Sequence, residues 1–256
     1  MSYFVREDSI VRQIWGNGDT ILFIFAGSAA EFALNKAVDW LYFTGRLPAD
    51  PLGRLFSTVT YARQIVFSEE AAALATIDQM AKIHASVEAK RGQHIPDWAY
   101  RDVLFMLIDY SIRAYEVLQR KLSLEEKTEV FEVFNRVGHR MGLKELPVTF
   151  AHWQVMRKEH LQQDLQKSHY TTDLYRQYRK HLGFVRYRLL LEGQKLVVPR
   201  QVKQLLGFGS LPVLAPVLAA YKLIRKFQLD WLLKSVLLPG AYKNQIRNLD
   251  RQPVQS

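Results

Sequence analysis

The 256-residue chain has no cysteine. That absence excludes disulfides, thiolate nucleophiles, cysteine-bound zinc, iron–sulfur clusters and a thiolate-ligated haem. Any metal must therefore be held by histidine, by carboxylate or within a cofactor. Long apolar runs are missing too. "TILFIFAGSAA" (20–30) stops at Glu31 and "LPVLAPVLAAYKLI" (211–224) stops at Arg225, both short of the roughly 20 residues that span a bilayer. There is no HExxH, no GxSxG and no EF-hand loop, and the two glycines of "IWGNGD" (14–19) belong to no strand–loop–helix phosphate cradle. The opening "MSYFVREDSIVRQIW" mixes charge with apolar residues and lacks the apolar core of a signal peptide, so a cytoplasmic protein is expected. Acidic residues are scarce in one half of the chain. Residues 151–256 hold 6 Asp/Glu against 18 Lys/Arg, whereas residues 1–150 hold 19 against 17.

What is present is helical periodicity, with few stretches alternating as a half-buried strand would. Asp50 and Pro51 form a helix start, the first as N-cap and the second at the first helical position, and this helix should run to Phe67. Ser68 is expected to cap the next helix, which closes on Lys90, Arg91 and Gly92. A central helix, apolar nearly all round, follows Asp97; a capping box, Ser123 with Glu126, opens another that stops at Gly142. Further helices should begin near Thr149 and run over 171–183, stopping at Gly183, and the last lies in 215–240. No linker, low-complexity tract or 20–50-residue repeat interrupts them. The expectation is an all-α, single-domain multi-helix bundle over 1–243, with a basic helical part at 170–243 and a disordered tail at 244–256.

Two helices carry candidate chemistry. The apolar positions Ala73, Ile77 and Met80 lead to His84 and on to Val87, so an imidazole stands on the stripe meant for the core. Read alone, it is either a satisfied core histidine or a ligand. No second histidine or carboxylate stands at metal-ligand spacing on its face, which argues against zinc, whereas haem iron needs a single protein ligand and an apolar slot between helices. The other histidines, at 94, 139, 152, 160, 169 and 181, have polar neighbours and read as surface residues. On the preceding helix, an inner stripe of Leu55, Thr58, Ala62 and Ile65 places Arg54 and Thr58 at its edge, one turn apart. An arginine there must reach water, pair with an acid such as Asp50, or meet an anion such as a haem propionate.

These stretches carry a family likeness. "DPLGRLFSTVTYARQIVF" (50–67) and "MAKIHASVEAKRG" (80–92), with "GNGDTILFIFAGSAAEFAL" (16–34), "LFMLIDYSIRAYE" (104–116) and "GHRMGLKELPVTF" (138–150), resemble the all-α catalytic domain of rubber oxygenase (latex clearing protein) and MpaB-type oxygenases. The likeness covers roughly residues 15–160. It implies that His84 is the proximal ligand of a haem b, with Arg54, Thr58 and Ser57 lining the pocket between central helices; Arg54 and Thr58 are the candidate catalytic residues, Arg54 either binding a propionate or polarising a distal ligand. Ser57 stands where the rubber enzymes carry a lysine able to cap the iron. Ser28 and Ala29 replace a family His-Pro pair, Phe105–Leu107 replaces a His-Ala-Thr stretch, and Asp39 lies in the region of the pocket acid.

The resemblance implies a haem b-dependent oxygenase acting on a small apolar, lipid- or isoprenoid-like substrate. Two other readings stay open: a non-catalytic haem carrier or sensor, and a haem-free helical interaction protein that uses its basic half. In "AYKLIRKFQLDWLLKSVLLPGAYK" (220–243), Lys222, Arg225, Lys226 and Lys234 mix with Leu, Phe and Trp as in an interfacial helix, so peripheral contact with an anionic membrane is a further expectation. No nucleic-acid module accompanies the charge, which argues against that partner.

Overall fold

The computed structural model describes residues 2–43, 45 and 49–209, with the side chains of residues 41, 51, 52 and 54–56 outside that description. The expected helix at 215–240 and the expected tail both fall outside it. The described residues are all-α: α1 Ile10–Trp15, α2 Gly18–Phe32, α3 Asp39–Phe43, α4 Pro51–Phe67, α5 Glu70–Arg91, α6 Asp97–Leu118, α7 Leu124–Arg140, α8 Phe150–Gln163, α9 His169–Val197 and α10 Arg200–Leu206. No described helix is long and apolar enough to cross a membrane.

Most boundaries follow from side chains that satisfy helix-end N–H groups. The Asp50 carboxylate accepts from Gly53 N–H at 2.8 Å. In the capping box, Ser123 Oγ accepts from Glu126 N–H and Glu126 accepts from Ser123 N–H, while Thr149 Oγ1 accepts from His152 N–H. Ser68 departs from expectation. It closes α4, and Glu69 becomes the N-cap of α5 without a side-chain bond. The helix expected to stop at Gly183 continues as α9, bent where that glycine takes φ 72°.

The apolar pattern then decides who is central. α2 and α6 bury residues on nearly every face and pack on each other. At their crossing Gly27 meets Tyr110 so closely that a Cβ would stand 2.3 Å from the ring. Fully buried Trp15 on α1 donates from Nε1 to Ser111 on α6 at 3.1 Å. Around this pair, α7 and α8 add Phe131, Phe134, Phe150 and Trp153 to the core. α4 and α5, joined by two residues, pack as a hairpin beside it.

Candidate functional site

The sequence-predicted residues lie on the α4–α5 hairpin. Counted from the connector at about 1.5 Å per residue, Arg54 stands about 20 Å along α4 and His84 about 21 Å along α5, with Thr58 one turn nearer the connector. Ser57, Thr58 and His84 are half-buried; the side chain of Arg54 lies outside the described residues. The inner stripe holds where it is described, since Ala62 and Ile65 are buried. Among the described side chains of this helix a buried arginine is Arg63, which donates to Trp15 C=O at 2.9 Å and lies over the Phe67 ring.

The His84 ring meets the Tyr100 ring edge-on, with centroids 5.3 Å apart. Tyr100 Oη in turn donates to Glu88 Oε1 at 3.0 Å, and Glu88 also accepts from Ile95 N–H at 2.9 Å. Glu88 stands one turn beyond His84 on the same face, which corrects the reading that this face carries no second carboxylate. Burial alone would raise the Glu88 carboxyl, but these donors and His94 outweigh it and hold it low. Burial and the Glu88 charge push the Tyr100 phenol up. Both residues line a cleft of about 420 Å³ with His94, Ile95, Pro96 and Asp97. Asp39 is ion-paired to Arg91 at 2.6 Å, and that guanidinium covers the Trp40 ring at 3.9 Å. Of the residues of α5, Ala73 and Ile77 are the buried ones. The apolar stripe around His84, namely Met80, Ile83 and Val87, keeps part of its surface, Ile83 being 43% exposed. This part of the hairpin therefore holds an imidazole, two hydroxyls and an arginine position, beside an apolar stripe that is partly exposed.

A second polar assembly lies deep between α2, α6 and α8. Arg157 grips Glu31 with two bonds, Nη1 to Oε1 at 2.5 Å and Nη2 to Oε2 at 2.7 Å, and reaches Asp109 at 2.9 and 3.0 Å. Tyr110 Oη donates to Glu31 at 2.8 Å. His160 Nε2 stands 2.9 Å from Glu31 Oε1, and its Nδ1 stands 2.6 Å from Asp102 and 3.4 Å from Asp164. Burial alone would raise Glu31, yet the Arg157 charge and the hydrogen bonds from Arg157 and His160 hold its carboxyl well below the usual range. Burial would likewise lower His160, but hydrogen bonds to Asp102, Asp164 and Glu31 push it up to about 10. Asp102 moves up, because burial outweighs its bonds to His160 and Asn35.

This assembly corrects the reading of His160 as a surface residue: it is 3% exposed. Polar neighbours in sequence were a poor guide, because Trp153, Arg157, His160 and Asp164 recur at four, three and four residues and so share one helical face with the core residue Trp153. Glu31, read as the terminator of an apolar run, lies inside the core with no exposed surface.

A family model described as "ER-bound oxygenase mpaB/B'/Rubber oxygenase, catalytic domain" matches residues 14–226. No curated protein and no solved structure matches the chain.

Proposed function

Because the chain belongs to the family of mpaB-type and rubber oxygenase catalytic domains, we propose that it is a haem b-dependent oxygenase acting on a small apolar, lipid- or isoprenoid-like substrate, with His84 as the axial ligand. What supports this most is the family match over residues 14–226, which contains Arg54, Thr58 and His84 on two helices that pack on each other. Haem, when bound, would supply the activation of oxygen. The protein's own part is to ligate, orient and exclude water. His84 offers the imidazole, and Tyr100, fixed by Glu88, limits the rotation of that ring. Met80, Ile83 and Val87 offer an apolar wall. The hydroxyls of Ser57 and Thr58 would give the pocket polar contacts, and Arg54 would hold a haem propionate or polarise a ligand on the pocket's far side. Asp39, engaged by Arg91, is an acceptor rather than a free base.

The test is the absorption spectrum of the purified chain before and after haem reconstitution, beside His84→Ala. A stoichiometric Soret band that shifts or disappears in the variant is the expected result. Absence of the band in both overturns the reading. A band without turnover of unsaturated lipids would turn the protein into a haem carrier or sensor.

Peripheral contact with an anionic membrane is the second part of the proposal. The basic helix beyond residue 209 lies outside the described residues, but α9 supports the idea independently. Phe184 and Val185, each 67% exposed, follow its kink, with Arg179, Lys180 and Arg188 exposed around them.

A further inference from the structure

We propose that Asp102, His160 and Asp164 form a site for a divalent transition ion of the Zn²⁺ class, which staples the end of α8 to α6. Their donor atoms come from separate places: Asp102 from α6, His160 from the last turn of α8, and Asp164 from the cap of that helix. All three lie within 4.8 Å of one another. Ligand atoms arranged tetrahedrally around zinc at 2.0–2.2 Å stand about 3.3 Å apart. The pair His160 Nδ1 and Asp164 Oδ2 is already at 3.4 Å, while His160 Nδ1 and Asp102 Oδ1, at 2.6 Å, must open by about 0.7 Å.

The surroundings hold these donors as the outer shell of a metal site does. His160 Nε2 is committed to Glu31 at 2.9 Å, which leaves Nδ1 facing the two aspartates. Glu31 cannot swing away, because Arg157 grips both its oxygens. Asn35 donates to Asp102 Oδ2 at 3.2 Å, turning Oδ1 toward the imidazole. His160 and Asp102 side chains are 2% and 3% exposed and Asp164 is 26% exposed, so an ion would enter from the Asp164 side. The backbone closes the same corner: Lys36 N–H donates to Asp164 C=O at 2.9 Å and Gln166 N–H to Leu34 C=O at 2.8 Å. An ion here would take the place of the proton shared between Nδ1 and the two carboxylates. One imidazole with two carboxylates suits zinc or manganese and disfavours Mg²⁺ and Ca²⁺, which seek all-oxygen shells.

The site is independent of the haem reading, since no residue is shared with it. The test is equilibrium dialysis of the full-length, EDTA-stripped chain against Zn²⁺, with metal analysis and thermal melting. Wild type is expected to hold one Zn²⁺ per chain and to melt several degrees higher with it. His84→Ala should behave like wild type. Asp164→Asn, at the solvent edge and of equal size, should bind at least tenfold more weakly and lose the Zn²⁺-dependent rise while melting normally in EDTA; His160→Gln should also lose the Zn²⁺-dependent rise, but from a lower melting point in EDTA, because it strands the buried carboxylates of Glu31 and Asp102. Should either variant fail to fold, anomalous scattering at the zinc edge from wild-type crystals decides the matter: a peak beside His160 Nδ1 supports the site. Substoichiometric binding by wild type, undiminished binding by both variants, or a peak elsewhere overturns it.

Discussion

Arg157 shows what one charged residue can do in a core. Its side chain is 5% exposed, it satisfies Glu31 and Asp109 together, and its guanidinium charge is the main attraction that keeps Glu31 ionised against burial. A buried pair stabilises little relative to a well-packed apolar replacement of the whole group, but removing one partner strands the other charge. Arg157→Met should therefore destabilise by roughly 3–5 kcal/mol in urea unfolding. Arg157→Lys should recover little of that, because an ammonium cannot make the planar two-point grip. A loss below about 1 kcal/mol for Met would mean that the carboxylates find other partners. At this scale the sequence was least legible. Arg63, Arg157, His160 and Glu31 are indistinguishable by type from surface residues, and what buries them is the face they occupy once the helices pack.

Elements were more legible, because caps are written into a few adjacent residues. Asp50, Ser123 with Glu126, Thr149 and Gly92 all end helices as their chemistry requires. The short α1, α3 and α10 escaped notice, since five to seven residues are too few to display a period. The capping box permits a prediction with a definite sign. The Arg120 guanidinium, against burial and with help from Ser123 N–H, brings the Glu126 carboxyl down to about 2. A carboxylate depressed in the folded state contributes stability above its unfolded value of roughly 4.5 and loses it as the pH falls toward 2. Glu126→Gln should accordingly melt lower than wild type at pH 7, by a small margin for so exposed a pair, and the two curves should converge near pH 2. Ser123→Ala removes only the hydroxyl acceptor and should cost about 1 kcal/mol at either pH. Thermal melts at both pH values check the pair. Convergence by Ser123→Ala, or none by Glu126→Gln, would contradict the assignment. A second element-scale test concerns the α2–α6 crossing. Gly27→Ala places a methyl against the Tyr110 ring and should cost roughly 1–3 kcal/mol by overpacking, despite alanine's higher helix propensity.

For the whole molecule, the pattern legible from residue types alone was the charge division, with the positive excess confined to residues 151–256. Where that excess sits in space depends on the bend of α9. Gly183 at φ 72° breaks the helix, and the two residues after it carry apolar side chains into solvent among basic ones. Attraction to an anionic bilayer would act through the charge and be screened by salt, whereas insertion of Phe184 and Val185 would act through apolar area and resist it. The two contributions therefore separate experimentally. Sedimentation with vesicles containing phosphatidylserine should show binding at low ionic strength that weakens steeply toward 0.5 M salt, against little binding to neutral vesicles. Phe184→Glu should weaken binding about tenfold by withdrawing one aromatic side chain from the interface, and should leave the melting temperature close to that of wild type, since the ring is largely solvated already. Equal binding to neutral and anionic vesicles would remove the charge from the explanation. An unaffected Phe184→Glu would place the contact elsewhere on the basic half.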